Sequence, residues 1–380
     1  MESLHLYLLL LLLSERLCST VSLLESWQWV DSVNVSKWYS PLDLCILNND
    51  TASNMDDVLQ HCRHQLDQHQ IPYNKQQPIR CIAGNSWPSK SGFCSADDIV
   101  YTQRYNFKRT IVGHDDPTRR PLHNFFAKLS KNNGSFLLIG DSVMQQFVSA
   151  IACELERENI WPDPSQFTNT DEVKYVTIND NDAPVPMKFL PIYHFVNGRY
   201  DRVANYSMLQ LQRNVEEYVN KYNTLVIVIN MGLHYVSNPV PHFSKEDYIQ
   251  QMTMALTYLH SVSIRFLATN KKIKIIWRET SAQHFPTPGG YWPGVRYASD
   301  MKLACVPIKA EDIPHDWRNT EIRNIIQNHH LNSIEVMPFY HATLPLWNQH
   351  VNGYKQDCTH FCWTPYLYQT CFRYMENLDL

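Results

Sequence analysis

Ser135-Phe-Leu-Leu-Ile-Gly140-Asp141-Ser142 is the stretch on which the fold turns. Four consecutive apolar residues closed by a glycine have the length of a buried strand rather than of a helix. Behind them Val143, Phe147, Ile151 and Leu155 recur every four residues, as on one face of a helix. The stretch therefore reads as strand, tight turn, helix. Working outward, further strand-like runs occur at Val173 to Ile178, Lys188 to Phe195, Thr224 to Asn230, Lys272 to Trp277 and Ile334 to Phe339. Helical patterns lie between several of them, at Leu209 to Tyr222, Glu246 to Leu267 and Trp317 to His330. Alternation of this kind predicts an α/β domain, a parallel sheet covered by helices on both faces. Such sheets bind ligands at the carboxyl ends of their strands, so the search for chemistry starts there.

Composition narrows the function classes. The chain has 380 residues, with 33 Lys and Arg against 37 Asp and Glu, and no long block of one sign. A nucleic-acid footprint is not expected from that balance. Ten Trp, 21 Tyr and 15 Phe demand burial and exclude intrinsic disorder. Only 11 Gly, thinly spread, argue against repeats and glycine-rich phosphate loops. The sequence contains no G-x-x-x-x-G-K, G-x-G-x-x-G, H-E-x-x-H or G-x-S-x-G, and no cofactor is expected.

Leu4 to Leu13 is an apolar run about half the length a membrane-spanning helix needs. It fits the core of a signal peptide over residues 1–19, or a short retained anchor, better than a buried helix. Either membrane reading puts the remainder in the secretory pathway, in the Golgi lumen or outside the cell. There the ten cysteines become a disulfide framework. Cys45, Cys62, Cys81 and Cys94 lie in a segment over residues 20–130 that also holds Trp27, Trp29, Trp38 and Trp87 and few periodic runs. That segment reads as loop-rich and disulfide-stapled, ahead of an α/β domain over residues 131–380. Cys358 and Cys362 are expected to bond to different upstream partners, Cys305 and an N-terminal cysteine. Sequons at Asn34, Asn49, Asn133 and Asn205 agree with that compartment.

Ser142 falls where a strand ends and a helix begins. A serine there presents its hydroxyl at the sheet edge, with the free N–H groups of the helix behind it. The plainer reading is an N-cap, for which Asp and Ser are favoured anyway. Near the other end stands Asp357-Cys358-Thr359-His360-Phe361-Cys362. A carboxylate and an imidazole three residues apart can pair, leaving the second ring nitrogen to accept a hydroxyl proton. Zinc ligation by Cys358, His360 and Cys362 is the competing reading, and an oxidising compartment disfavours it. Two more polar stretches follow strands: Asn230-Met231-Gly232-Leu233-His234, and Arg278-Glu279-Thr280-Ser281-Ala282-Gln283-His284-Phe285. Asn230, Gly232, Arg278 and His284 are candidates for oxyanion or substrate contact, with hydrogen-bonded scaffolding as the alternative.

These motifs together resemble the PC-esterase family, the trichome-birefringence-like group of SGNH-type acyltransferases and esterases. The likeness rests on G-D-S before a helix, Asn-x-Gly after a middle strand, R-x-T-S-x-x-H-F and D-C-x-H-x-C-x-x-P, in that order over residues 131–365. Cys153 and Cys305 match the family's cysteines. The resemblance implies a three-layer, SGNH or flavodoxin-like sheet, Ser142 as nucleophile, His360 as base, Asp357 as its orienting carboxylate and Asn230 as an oxyanion donor. It also implies a glycan or polysaccharide acceptor, a separate acyl donor, and acetyl as the group moved. The chain departs from the family at Gln145, where a basic residue is usual, and at Leu233, which interrupts a Gly-His pair. Gly198 is a candidate for the second oxyanion glycine. Three functions follow: an O-acyltransferase, an esterase with water as acceptor, and a silent glycan-binding module. The module needs none of Ser142, Asp357 and His360.

Overall fold

A computed structural model describes residues 27–31, 105–109, 120–158, 160, 173–178, 183–192, 195, 204–235, 244–292, 305–309, 316–344, 346–347, 350, 358–361 and 367–380. Strand β1 (Trp27–Asp31) pairs antiparallel with β2 (Tyr105–Arg109), so the N-terminal segment carries a two-stranded ribbon. The main sheet has six strands: β3 (Gly134–Gly140), β4 (Lys174–Val176), β5 (Val185–Pro191), β6 (Thr224–Asn230), β7 (Lys272–Arg278) and β8 (Ile334–Met337). Their order across the sheet is β4-β5-β3-β6-β7-β8, parallel throughout except for the antiparallel edge strand β4. The expected α/β class is what the structure has, with one antiparallel edge in place of an all-parallel sheet.

Helices α1 (Pro121–Lys131), α2 (Ser142–Arg157), α3 (Ala204–Lys221), α4 (Lys245–Phe266), α5 (Trp317–Asn328), α6 (Tyr340–Thr343) and α7 (Gln369–Glu376) pack on both faces. The period of two along β3 separates the faces. Phe136 and Leu138 join α1, α2 and α7 through Phe125, Phe126, Phe147, Phe372 and Met375. Leu137 and Ile139 join α3, α4 and α5 through Leu211, Val215, Leu256, Leu259 and Ile322. Every residue of β3 and β6 is buried, which is why both read as continuous apolar runs.

Helix α1 shifts the expected domain boundary. It lies before residue 131, yet Leu122, Phe125, Phe126 and Leu129 are fully buried, and Phe125 and Phe126 meet Phe136 edge-on at 5.1 and 5.9 Å. Its N-terminal amides at Leu122 and His123 are capped by the Glu158 carboxylate from the end of α2. The α/β unit thus begins by residue 121. Strand β5 also runs from Val185, three residues earlier than its apolar pattern suggested. At the other end of α7, Lys128 Nζ donates to the Glu376 and Leu378 carbonyls at 2.7 and 3.0 Å, tying the C-terminus to α1.

The winding of the sheet reverses at β3: from it the chain runs out to β4 and back to β5 on one side, then crosses to β6 on the other. That switch point leaves a crevice at the carboxyl ends of β3 and β6. Gly140 and Asn230 end them, in register with each other. A Cβ on Gly140 would lie 1.9 Å from the Asn230 carbonyl oxygen, so only glycine permits this approach. Among the described residues no helix is long and apolar enough to cross a membrane, and the Leu4 to Leu13 run lies outside them.

Candidate active site

Asp141 organises the crevice. It is fully buried at the start of α2, and its Oδ1 accepts the Val143 N–H at 3.0 Å, as an N-cap does. Oδ2 accepts the N–H groups of Gly232 and Leu233 at 3.2 and 3.4 Å. One carboxylate therefore clamps the turn after β6 to the turn after β3. Gly232 has φ +143, and a Cβ there would meet the Tyr248 ring at 2.9 Å. His234, two residues on, is exposed at the rim.

Ser142 stands at the first position of α2, half-buried, and its Oγ lies 2.8 Å from His360 Nε2. The two are 218 residues apart in sequence. Several bonds hold the His360 segment there. Gln146, one turn after Ser142 on the same face of α2, donates from Nε2 to the Phe361 carbonyl at 3.3 Å. Gln283 Nε2 donates to Thr359 Oγ1 at 2.8 Å. Cys358 is disulfide-bonded to Cys305, with their Cα atoms 5.5 Å apart, and its carbonyl accepts the His284 N–H at 2.9 Å. The expected bond from Cys305 to the His360 loop is present, and Cys358 is thereby removed as a zinc ligand. No cluster of three or more His, Cys, Asp or Glu suited to a metal occurs among the described residues. Asp357, Cys362, Gly198 and the N-terminal cysteines lie outside the described residues, as does the side chain of Cys153.

The other expected site residues form the floor rather than the opening. Asn230 is fully buried; its Nδ2 donates to the Arg278 carbonyl at 2.9 Å and to Thr280 Oγ1 at 3.2 Å. Both amide hydrogens are used, so in this arrangement none is left for an oxyanion. The Gly232 N–H is likewise engaged by Asp141. Arg278 donates from Nη2 to Asn230 Oδ1 at 3.0 Å, while its Nε and Nη1 have no hydrogen-bond partner among the described residues. Its guanidinium is sandwiched between the Phe147 and Phe339 rings at 5.2 and 4.8 Å, contacts that offset part of its desolvation. Burial pushes its pKa below the usual arginine value. His284 is fully buried, and burial brings its pKa down to about 4. Both of its ring nitrogens lie within hydrogen-bond distance of protein atoms, as the scaffolding reading of its sequence position expects.

Arg318, on α5, carried no sequence signal. Fully buried, it donates from Nε to the Gly232 carbonyl at 2.7 Å, from Nη2 to the Tyr235 carbonyl at 2.5 Å and from Nη1 to Gln283 Oε1 at 3.3 Å. Through Gln283 it links the turn that Asp141 clamps to the segment that carries His360. No motif spacing marks such a residue; only its position, in the first turn of α5, does. Searches against protein-family models and against curated protein sequences returned no match to this chain.

Proposed function

We propose that this protein is a serine-dependent acyl-transfer enzyme that moves an acyl group, acetyl by its resemblance to the PC-esterase family, onto hydroxyls of a glycan or polysaccharide. The contact between Ser142 Oγ and His360 Nε2 at 2.8 Å, at the switch point of a doubly wound sheet, carries this reading. A free serine hydroxyl is a poor nucleophile, so its proton must pass to His360 Nε2 as the new C–O bond forms. That requires the tautomer with the proton on Nδ1, and Asp357, three residues earlier, is the group we assign to hold it.

The tetrahedral intermediate needs donors aimed at its oxyanion. The Ser142 N–H, at the first position of α2 and without an acceptor of its own among the described residues, is the donor we assign. The positive end of the helix adds to it. An SGNH-type three-layer fold accommodates the strand order and the helices on both faces. Secretory placement is supported by the Cys305–Cys358 bond and by the Leu4 to Leu13 run. Hydrolysis uses the same acyl-enzyme, and the half-exposed Ser142 and His360 give water a path to it.

The test is to incubate full-length protein with an acetyl donor and mixed glycans and to read products by mass spectrometry. Ser142→Ala should abolish both transfer and release of acetate while leaving the melting transition unchanged. Full activity in that variant would place the nucleophile elsewhere and end the proposal. Acetate without acetylated glycan from the unmodified protein would make it an esterase.

A further inference from the structure

Two imidazoles, His284 and His350, run in line to the main chain of His360, the residue whose ring meets Ser142. His284 Nε2 lies 3.0 Å from the Leu344 carbonyl oxygen, and His284 Nδ1 lies 2.7 Å from His350 Nε2. His350 Nδ1 in turn lies 3.1 Å from the carbonyl oxygen of His360. A carbonyl only accepts, so each end of this row needs a ring N–H, and the nitrogen-to-nitrogen contact needs a third proton between the rings. Two neutral imidazoles carry two protons. Complete pairing therefore requires one imidazolium. Both rings are buried, so the extra proton belongs to the pair, and the lowered pKa of His284 puts the larger share of it on His350.

We infer that His350 is a positioning residue for the catalytic base: an imidazolium strut between His284 and the main chain of His360. It rests on the proposed function, since what it positions is the Ser142–His360 contact. Facing His350 are the ring of His284, from the segment after β7, and the main-chain carbonyl of His360, next to its bridge partner Phe361. The ring of Phe361, its bridge partner, lies 4.3 Å away. When His350 loses its extra proton, a lone pair on Nδ1 faces the His360 carbonyl or the two ring nitrogens face each other unprotonated. Either outcome removes one of the three bonds that fix the base. Activity then has two opposed requirements: His360 neutral to accept the serine proton, and His350 charged to hold His360 still. The strut therefore adds a descending alkaline limb to the pH profile.

The experiment uses full-length protein and p-nitrophenyl acetate. His350→Asn places an amide N–H where Nδ1 stood and keeps the bond to the His360 carbonyl without a charge. It should retain kcat within about threefold and lose the alkaline limb. His350→Gln restores only the contact with His284, and His350→Ala restores neither. Both should lose up to about 100-fold in kcat with KM unchanged, as a misplaced base does. Equal activity in all three variants, or equal loss in all three at an unchanged melting temperature, would overturn the inference. A second measurement is independent of turnover. In [15N]histidine spectra of the unmodified protein, the signal that His350→Asn deletes should be imidazolium at pH 6 and neutral above the alkaline limb. A neutral His350 at pH 6 would refute the strut. The same spectrum in Ser142→Ala should be unchanged, so an active Ser142→Ala would sink the proposed function without touching the strut's charge.

Discussion

Asp141 shows how much one side chain can organise. It accepts three backbone N–H groups from two turns, and an amide in its place offers a single acceptor and turns an NH2 toward the rest. Asp141→Asn should therefore cost about 2–4 kcal/mol in a denaturant titration and lower turnover as well. An unchanged midpoint would show that the clamp does not hold the turns. His284 gives a pH dependence with a definite sign. Its pKa falls from about 6.5 to about 4 on folding, so the unfolded chain binds more protons between those values. The stability it contributes is full above pH 6.5 and is lost as pH falls toward 4, by about 3 kcal/mol. In His284→Gln the stability gap to the unmodified protein should narrow by that amount on acidification, measured by urea unfolding at each pH. At this scale the sequence spoke clearly where chemistry and chain position coincided. Ser142 and His360, which meet at 2.8 Å, stand out in the sequence through a strand-to-helix turn and a D-x-x-H spacing. Asn230 was legible as a strand-end polar group but not in which direction its amide points, since that depends on Arg278 and Thr280 almost fifty residues later. His350 stands in no pattern at all; what makes it matter is a carbonyl ten residues on.

Elements tell a different story, because their recognition depends on period rather than on partners. β6 runs from Thr224 to Asn230 as its apolar pattern predicts, and α4 matches to within a residue at each end. Ser244 and Asp247 form a capping box there, which fixes the start of α4 sharply. Helix α1 is hard to recognise in the sequence for a reason visible in its residues. Leu122, Phe125, Phe126 and Leu129 have helical spacing and Pro121 suits a first turn, but a single short amphipathic stretch beside a cysteine-rich region reads as part of that region. Its contribution is measurable: Phe125→Ala should cost about 3–5 kcal/mol, read as a shift in the unfolding midpoint. The segment bearing His360 depends on a covalent tie instead of a period. Cys305→Ala, Cys358→Ala and the double variant should each lose about 2–4 kcal/mol, the double no more than either single. Additive losses would mean that each cysteine has a separate structural role.

For the molecule as a whole, both the site and one face of the sheet are completed by the last residues of the chain. Tyr368, Cys371, Phe372, Met375 and Leu378 are buried in the same cluster as α1 and α2. Removal of residues 369–380 should therefore abolish cooperative melting rather than trim the surface, which circular dichroism of the truncated chain would reveal. Ser142 and the imidazole it touches are separated by 218 residues. At a translation rate of about 5–20 residues per second, the ribosome adds His360 roughly 10–45 s after Ser142. For that interval a growing chain holds a serine with no imidazole beside it, so on the proposed mechanism its hydroxyl takes up no acyl group. On the proposed mechanism biosynthesis supplies its own safety delay: the nucleophile is activated only once residue 360 has been added and has folded back onto it.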